Sequence, residues 1–148
     1  LALEGDPQRV PSPDAQVGRV RPIGSLPDRD LLPVLLAHVR TATPRALYWE
    51  PTDGVVRDHY WLHVDAPGHG QRIDATLRGQ ELAVTLRGVA AAEALVDARN
   101  CDLGQPLTVV LGAERRVVRL VPSLRTLCET LQRRGDPALA ASCVVTLP

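Results

Sequence analysis

The feature that most constrains this chain is a change of hydrophobic period partway along it. Ile73, Ala75 and Leu77 alternate with polar residues, Gly79-Gln80 interrupts, and Leu82, Val84 and Leu86 alternate again. A helix cannot keep residues two apart on one face, whereas a strand does so by its pleat, so this stretch reads as a β-hairpin with one buried face. The same period appears in Ala46 to Glu50 and in His59 to Asp65. It returns in Leu107 to Leu111, in Arg115 to Val121 beyond the turn Gly112-Ala113, and at Cys143, Val145 and Leu147. In His59 to Asp65 it puts Tyr60, Leu62 and Val64 on one face and His59, Trp61, His63 and Asp65 on the other.

Two segments carry helical spacing instead. Asp30 caps Leu31 to Arg40, Pro33 falls in the first turn, and Leu31, Leu32, Leu35, Leu36 and Val39 form one stripe. Pro122-Ser123 opens a second helix whose stripe is Leu124, Leu127, Cys128 and Leu131; Arg133 and Arg134 suit its C-terminal end and Gly135 caps it. Gly88 to Ala98 is ambiguous, because its alanines favour helix while tertiary context overrides so weak a preference. Residues 1–27 hold five prolines and no sustained period, and read as a Pro-rich linker or extended arm. Residues 28–148 are then the folded domain. The expectation is a mainly β protein, an antiparallel β-sandwich of about seven strands with an immunoglobulin-like layout and two short covering helices.

Composition removes several function classes. Seventeen arginines balance seventeen acids, which argues against nucleic acid or an anionic membrane as the main partner. The longest apolar run, Leu31 to Val39, is about half the ~18 residues that a membrane span needs. The start at Leu1, with neither an initiator Met nor a signal-like segment, reads as that of a processed or excised chain. Cys101, Cys128 and Cys143 form neither a disulfide framework nor a zinc knuckle, and are expected to be reduced and mostly packed. Ser12, Ser25, Ser123 and Ser142 lack the G-x-S-x-G context of a hydrolase nucleophile. His59 and His63 lie ~13 Å apart on a strand, too far to share one ion, so neither a metal nor a cofactor is expected. Trp61 between these histidines is the remaining candidate for a ligand or docking contact. Packing is the competing role: Trp61 is expected to be at least half buried under the helix Leu31 to Arg40, its indole N–H on a polar partner, with His59 and His63 at the rim.

Four stretches together resemble a known family. Leu35-Leu36-Ala37-His38-Val39-Arg40 followed by Pro44 is similar to an "H-x-R-x-x-x-P" helix exit, and Tyr60-Trp61-Leu62 to a "Y-W-L" strand. Asp102-Leu103-Gly104-Gln105-Pro106-Leu107-Thr108-Val109 is similar to "D-L-x-x-P-V-x-V". Ser123-Leu124-Arg125-Thr126-Leu127, through Leu131 and Arg134-Gly135-Asp136-Pro137, is similar to "S-L-x-T-L…R-G-D-P". In this order they resemble the C-terminal β-rich domain of large bacterial α/β-hydrolases, the prolyl-oligopeptidase-like or esterase-like serine hydrolases of planctomycetes and myxobacteria. The resemblance implies a strand at Ala92 to Val96 and a secreted or periplasmic setting. It places the catalytic Ser and Asp upstream and the catalytic His shortly before Leu31, where Val10 to Asp28 contains no histidine; His38 inherits no role.

The expectation is therefore a non-catalytic accessory domain that packs on a hydrolase-like domain or protein. Its rival is a free-standing secreted binding module that meets a glycan or envelope ligand through His59, Trp61 and His63.

Overall fold

The computed structural model describes residues 41–148, together with Leu32, Pro33 and Leu36. Those three are helical and fall within the helix expected at Leu31 to Arg40. The rest of that helix, the Pro-rich stretch and the expected boundary after residue 27 lie outside the described residues. One compact unit spans Thr41–Pro148.

This unit has nine strands: β1 Ala46–Trp49, β2 Asp58–His59, β3 Leu62–His63, β4 Arg72–Arg78, β5 Glu81–Arg87, β6 Ala92–Val96, β7 Leu107–Leu111, β8 Glu114–Val118 and β9 Cys143–Leu147. They form two sheets, β1-β4-β5-β7-β8 and β2-β3-β6-β9. The alternation read from sequence is the burial pattern of the larger sheet: Leu47 and Trp49, Ile73, Ala75 and Leu77, Leu82 and Val84, and Leu107 and Val109 point inward. They share one apolar core with Leu62, Ala94, Val96, Val145 and Leu147 of the smaller sheet.

The sheets are not wholly antiparallel, which corrects the expectation. β5 and β7 pair in parallel, from Glu81 opposite Thr108 to Val84 opposite Leu111. Parallel neighbours need a crossover, and here the chain makes it by leaving the larger sheet to form β6 in the smaller one. Gln80 pins the return. Its amide receives the Asp102 N–H at 2.7 Å and donates to the Asp102 carbonyl at 2.8 Å, while its own carbonyl accepts from Thr108 at 2.8 Å.

The segment expected as one strand, His59 to Asp65, is instead a hairpin. His59 faces Leu62 across the two-residue turn Tyr60-Trp61. Tyr60 has φ +52°, the positive first position of a type II′-like turn. Gly79 and Gly112 hold that position in the β4–β5 and β7–β8 hairpins. A tyrosine there costs on the order of 1–2 kcal/mol of backbone strain, so other contacts must hold this turn. The segment with helical preference is strand β6, in agreement with the family resemblance. Leu62 and Val145 flank Ala94 in the sheet, and Leu95 is buried on the opposite face from Ala94. Burial on both faces outweighs the few tenths of a kcal/mol by which alanine prefers helix.

Helix α1, Leu124–Arg134, has the ends read from sequence: the Ser123 hydroxyl accepts from the Thr126 N–H, and Gly135 closes the helix in the left-handed region at φ +64°. Its orientation is opposite to expectation. Leu124 is 80% exposed, and Leu127, Cys128 and Leu131 also face solvent. The buried residue is Thr130, whose hydroxyl donates to the Ala141 carbonyl at 2.9 Å and accepts from the Ala141 N–H at 3.0 Å. A 3-10 turn, Pro137–Leu139, capped by the Asp136 carboxylate, leads from α1 to Ala141 and β9.

This inversion predicts an unusual order of mutational effects. Thr130→Val keeps the shape but leaves the Ala141 N–H and C=O unpaired, and is expected to cost about 2 kcal/mol in urea denaturation. Leu124→Ser is expected to stay within about 0.5 kcal/mol of the parent. The reverse order would mean that the apolar stripe faces inward.

Candidate functional site

The sequence candidates His59, Trp61 and His63 all belong to the β2–β3 hairpin, but it does not present them on one face. Trp61, at the tip, is 3% exposed and belongs to the core. Its indole N–H donates to the Pro44 carbonyl at 2.6 Å, so the polar partner expected of a buried tryptophan is a backbone oxygen. Trp61 also borders a shallow cleft with Leu95, Arg99 and the 138–141 segment. Arg99 pairs with Asp97 and donates to the carbonyls of Ala138 and Ala140, which draws that segment in.

His59 lies at the rim, as expected. Its ring stacks on Trp49 with centroids 5.5 Å apart and meets Tyr60 edge-on at 5.0 Å. Burial against these rings pushes its pKa below the usual imidazole value.

His63 departs from expectation: it is 4% exposed and lies between two carboxylates. Nδ1 is 2.9 Å from Asp58 and Nε2 is 3.1 Å from Asp65. Carboxylates only accept, so both contacts are hydrogen bonds together only when both ring nitrogens carry protons. Both ring nitrogens of His63 thus face a carboxylate, the partly buried Asp58 on one side and the exposed Asp65 on the other.

The group that organises this cluster was not among the sequence candidates. Arg134 reaches from the last turn of α1, and its guanidinium donates to Asp58 at 2.8 Å and to the carbonyls of Tyr60 and Leu62. Its side chain is 3% exposed, and burial lowers its pKa, opposed by the charge and hydrogen bond of Asp58. Nε has no partner among the described residues, a cost the other bonds must offset. Arg133 stands 3.5 Å from the same carboxylate. Arg134 thus clamps the strained Tyr60-Trp61 turn to the helix. A sequence signal for it existed: Thr126, Thr130 and Arg134 recur every four residues and make a second, polar stripe beside the apolar one.

The cluster joins hairpin and helix through one arginine, two carboxylates and a histidine. Among the described residues no group of three or more His, Cys, Asp or Glu is arranged to hold a metal ion. Two of the three cysteines are packed as expected: burial, and then the proximity of Cys143 and nearby carboxylates, push Cys101 up to about 11, and burial raises Cys143 as well. Cys128 is exposed on α1. Among the described residues no helix is long and apolar enough to cross a membrane. Compared with protein-family models, curated proteins and solved structures, the chain returns no match.

Removing Arg134 is expected to be costly, because Asp58 and two carbonyls lose a buried partner. Arg134→Ala should destabilise by about 3 kcal/mol, and a double-mutant cycle with Asp58→Ala should show coupling of about 1 kcal/mol or more. Additive effects would remove the clamp.

His59 sets a separate pH effect. Its folded pKa lies below its unfolded value of about 6.5, so the unfolded chain takes up the proton first as pH falls. Its contribution to stability is complete above that value and is lost as pH falls towards the folded pKa. Urea unfolding at about pH 7.5 and about pH 5.5 should show a smaller loss for His59→Gln than for the parent. Equal losses would mean that His59 titrates alike in both states.

Proposed function

We propose that this chain is a non-catalytic accessory domain, an immunoglobulin-like β-sandwich, of a hydrolase-like protein, and that it works by packing on a neighbouring domain. The observation that carries the reading is the orientation of α1. The helix turns Thr130 and Arg134 inward and leaves Leu124, Leu127 and Leu131 to solvent. Leu124, 80% exposed, forfeits most of the about 1.5–3 kcal/mol that burying a leucine contributes, and Leu127 and Leu131, 37% and 40% exposed, a smaller part, which covering the stripe would recover. Two sheets sharing one apolar core support the sandwich.

Several of the residues that resemble the hydrolase domain support the same reading, because they have a task in the fold. Ser123 and Gly135 cap α1, and Asp136 caps the 3-10 turn. Arg134 clamps the hairpin, Trp61 fills the core, and the Asp102 loop is the one that Gln80 holds. Residues that shape a scaffold in this way are what an accessory domain needs. A binding module acting through Trp61 and His63 has less support, since both are buried and His63 has both nitrogens engaged.

Purified protein incubated with short acyl esters and aminoacyl chromogenic substrates is expected to give no turnover above buffer. Turnover abolished by a serine-directed phosphonate would overturn the proposal.

A further inference from the structure

Two thiols that are distant in the chain converge where β6 ends and β9 begins. Cys143, the first residue of β9, faces Val96, the last residue of β6. One residue further on, the Asp97 carbonyl accepts the Cys101 N–H at 3.2 Å and lies 3.7 Å from the Cys101 sulfur. Asn100 closes this turn, its side-chain oxygen accepting the Asp97 N–H at 2.8 Å. The turn 97–101 therefore folds Cys101 back towards the strand pair that it has just left.

Both side chains lie on the same side of the smaller sheet. Val96 and Cys143 point into the apolar core shared by the two sheets, and Cys101 belongs to that core as well. Leu95, whose side chain lies on the other face, is buried but outside it. Cys101 is 8% exposed and Cys143 is 2% exposed. The thiols are near enough for the charge of one to oppose ionisation of the other: after burial, Cys143 contributes to the rise of Cys101 to about 11. Cys128 stands apart, exposed on α1.

We propose that Cys101 and Cys143 are a disulfide pair, free as thiols in this structure and joined under oxidising conditions, with Cys128 left over. The odd count of cysteines predicts three reduced thiols; the fold sorts them into a pair and a remainder. The oxidant is a small disulfide such as glutathione disulfide. Exchange through a mixed disulfide passes two electrons from the two thiols to it, forms the S–S bond between Cys101 and Cys143, and releases two molecules of glutathione that carry off the two protons. Only a thiolate attacks, and burial keeps both thiols protonated, so exchange proceeds while the chain folds or opens locally. The bridge ties both ends of residues 101–143, which contain β7, β8 and α1, to the end of β6. Such a closure stabilises chiefly by restricting the unfolded chain.

The test uses the whole chain, reduced, unfolded in urea and refolded by dilution into a buffer of reduced and oxidised glutathione, then alkylated and digested with trypsin. Cleavage after arginine places the three cysteines in separate peptides, 100–115, 126–133 and 135–148. The expected product is peptide 100–115 linked to 135–148 and two hydrogens lighter than their sum, with 126–133 unlinked. The same exchange carried out in urea should lose this preference and give all three pairings. Reduction should lower the melting temperature of the bridged chain by about 5 °C or more. Cys128→Ser should leave both the bridge and the melting temperature unchanged, because that side chain is exposed. A dominant bridge that includes Cys128, free thiols at both Cys101 and Cys143 after equilibration, the same preference in urea, or a bridged chain that melts no higher than the reduced one would each overturn the pairing.

Discussion

Arg134 sits where three demands meet. The Tyr60-Trp61 turn leaves carbonyls pointing away from the β ladder, Asp58 needs a cation, and the last turn of α1 needs a reason to lie against the sheet. One guanidinium, with its fixed fork of donors, answers all three, which an ammonium on a flexible stem could not do with the same geometry. Thr130, one helical turn earlier, binds both backbone groups of Ala141 and so ties the approach to β9 to the same face of the helix. Once these polar groups face inward, the leucines four and seven residues apart must face outward. The exposed stripe is a consequence of the clamp.

That dependence connects the stability of the domain to its proposed task. In a protein that worked alone, a polar inner face and an apolar outer face would both be costly: buried charge must be paired, and exposed leucine gains nothing from water. The arrangement becomes favourable when a second surface covers the stripe.

The β2–β3 hairpin shows how a sequence pattern can be right about burial and wrong about geometry. Alternation placed Leu62 and Val64 in the core, and both are buried. It also placed Trp61 opposite them, yet Trp61 enters the same core because the chain reverses at Tyr60. Nothing in Tyr60-Trp61 announces a turn: neither glycine nor asparagine is present, and the positive φ of Tyr60 is sustained by contacts from residues more than seventy positions away. The histidines separated for the same reason, His59 to the aromatic rim and His63 between Asp58 and Asp65.

What the sequence determined by itself are the features set by neighbours along the chain. The β4–β5 and β7–β8 hairpins, the caps of α1 at Ser123 and Gly135, and the last strand all rest on local alternation and on residues with strong local conformational preferences. Tertiary structure alone decided the rest: the parallel pairing of β5 with β7, the strand at Ala92–Val96, the reversal at Tyr60 and the face that α1 buries. Each of these is a choice between local states that differ by a kcal/mol or two, and contacts distant in sequence, such as those of Gln80, Leu95, Thr130 and Arg134, supply more than that difference.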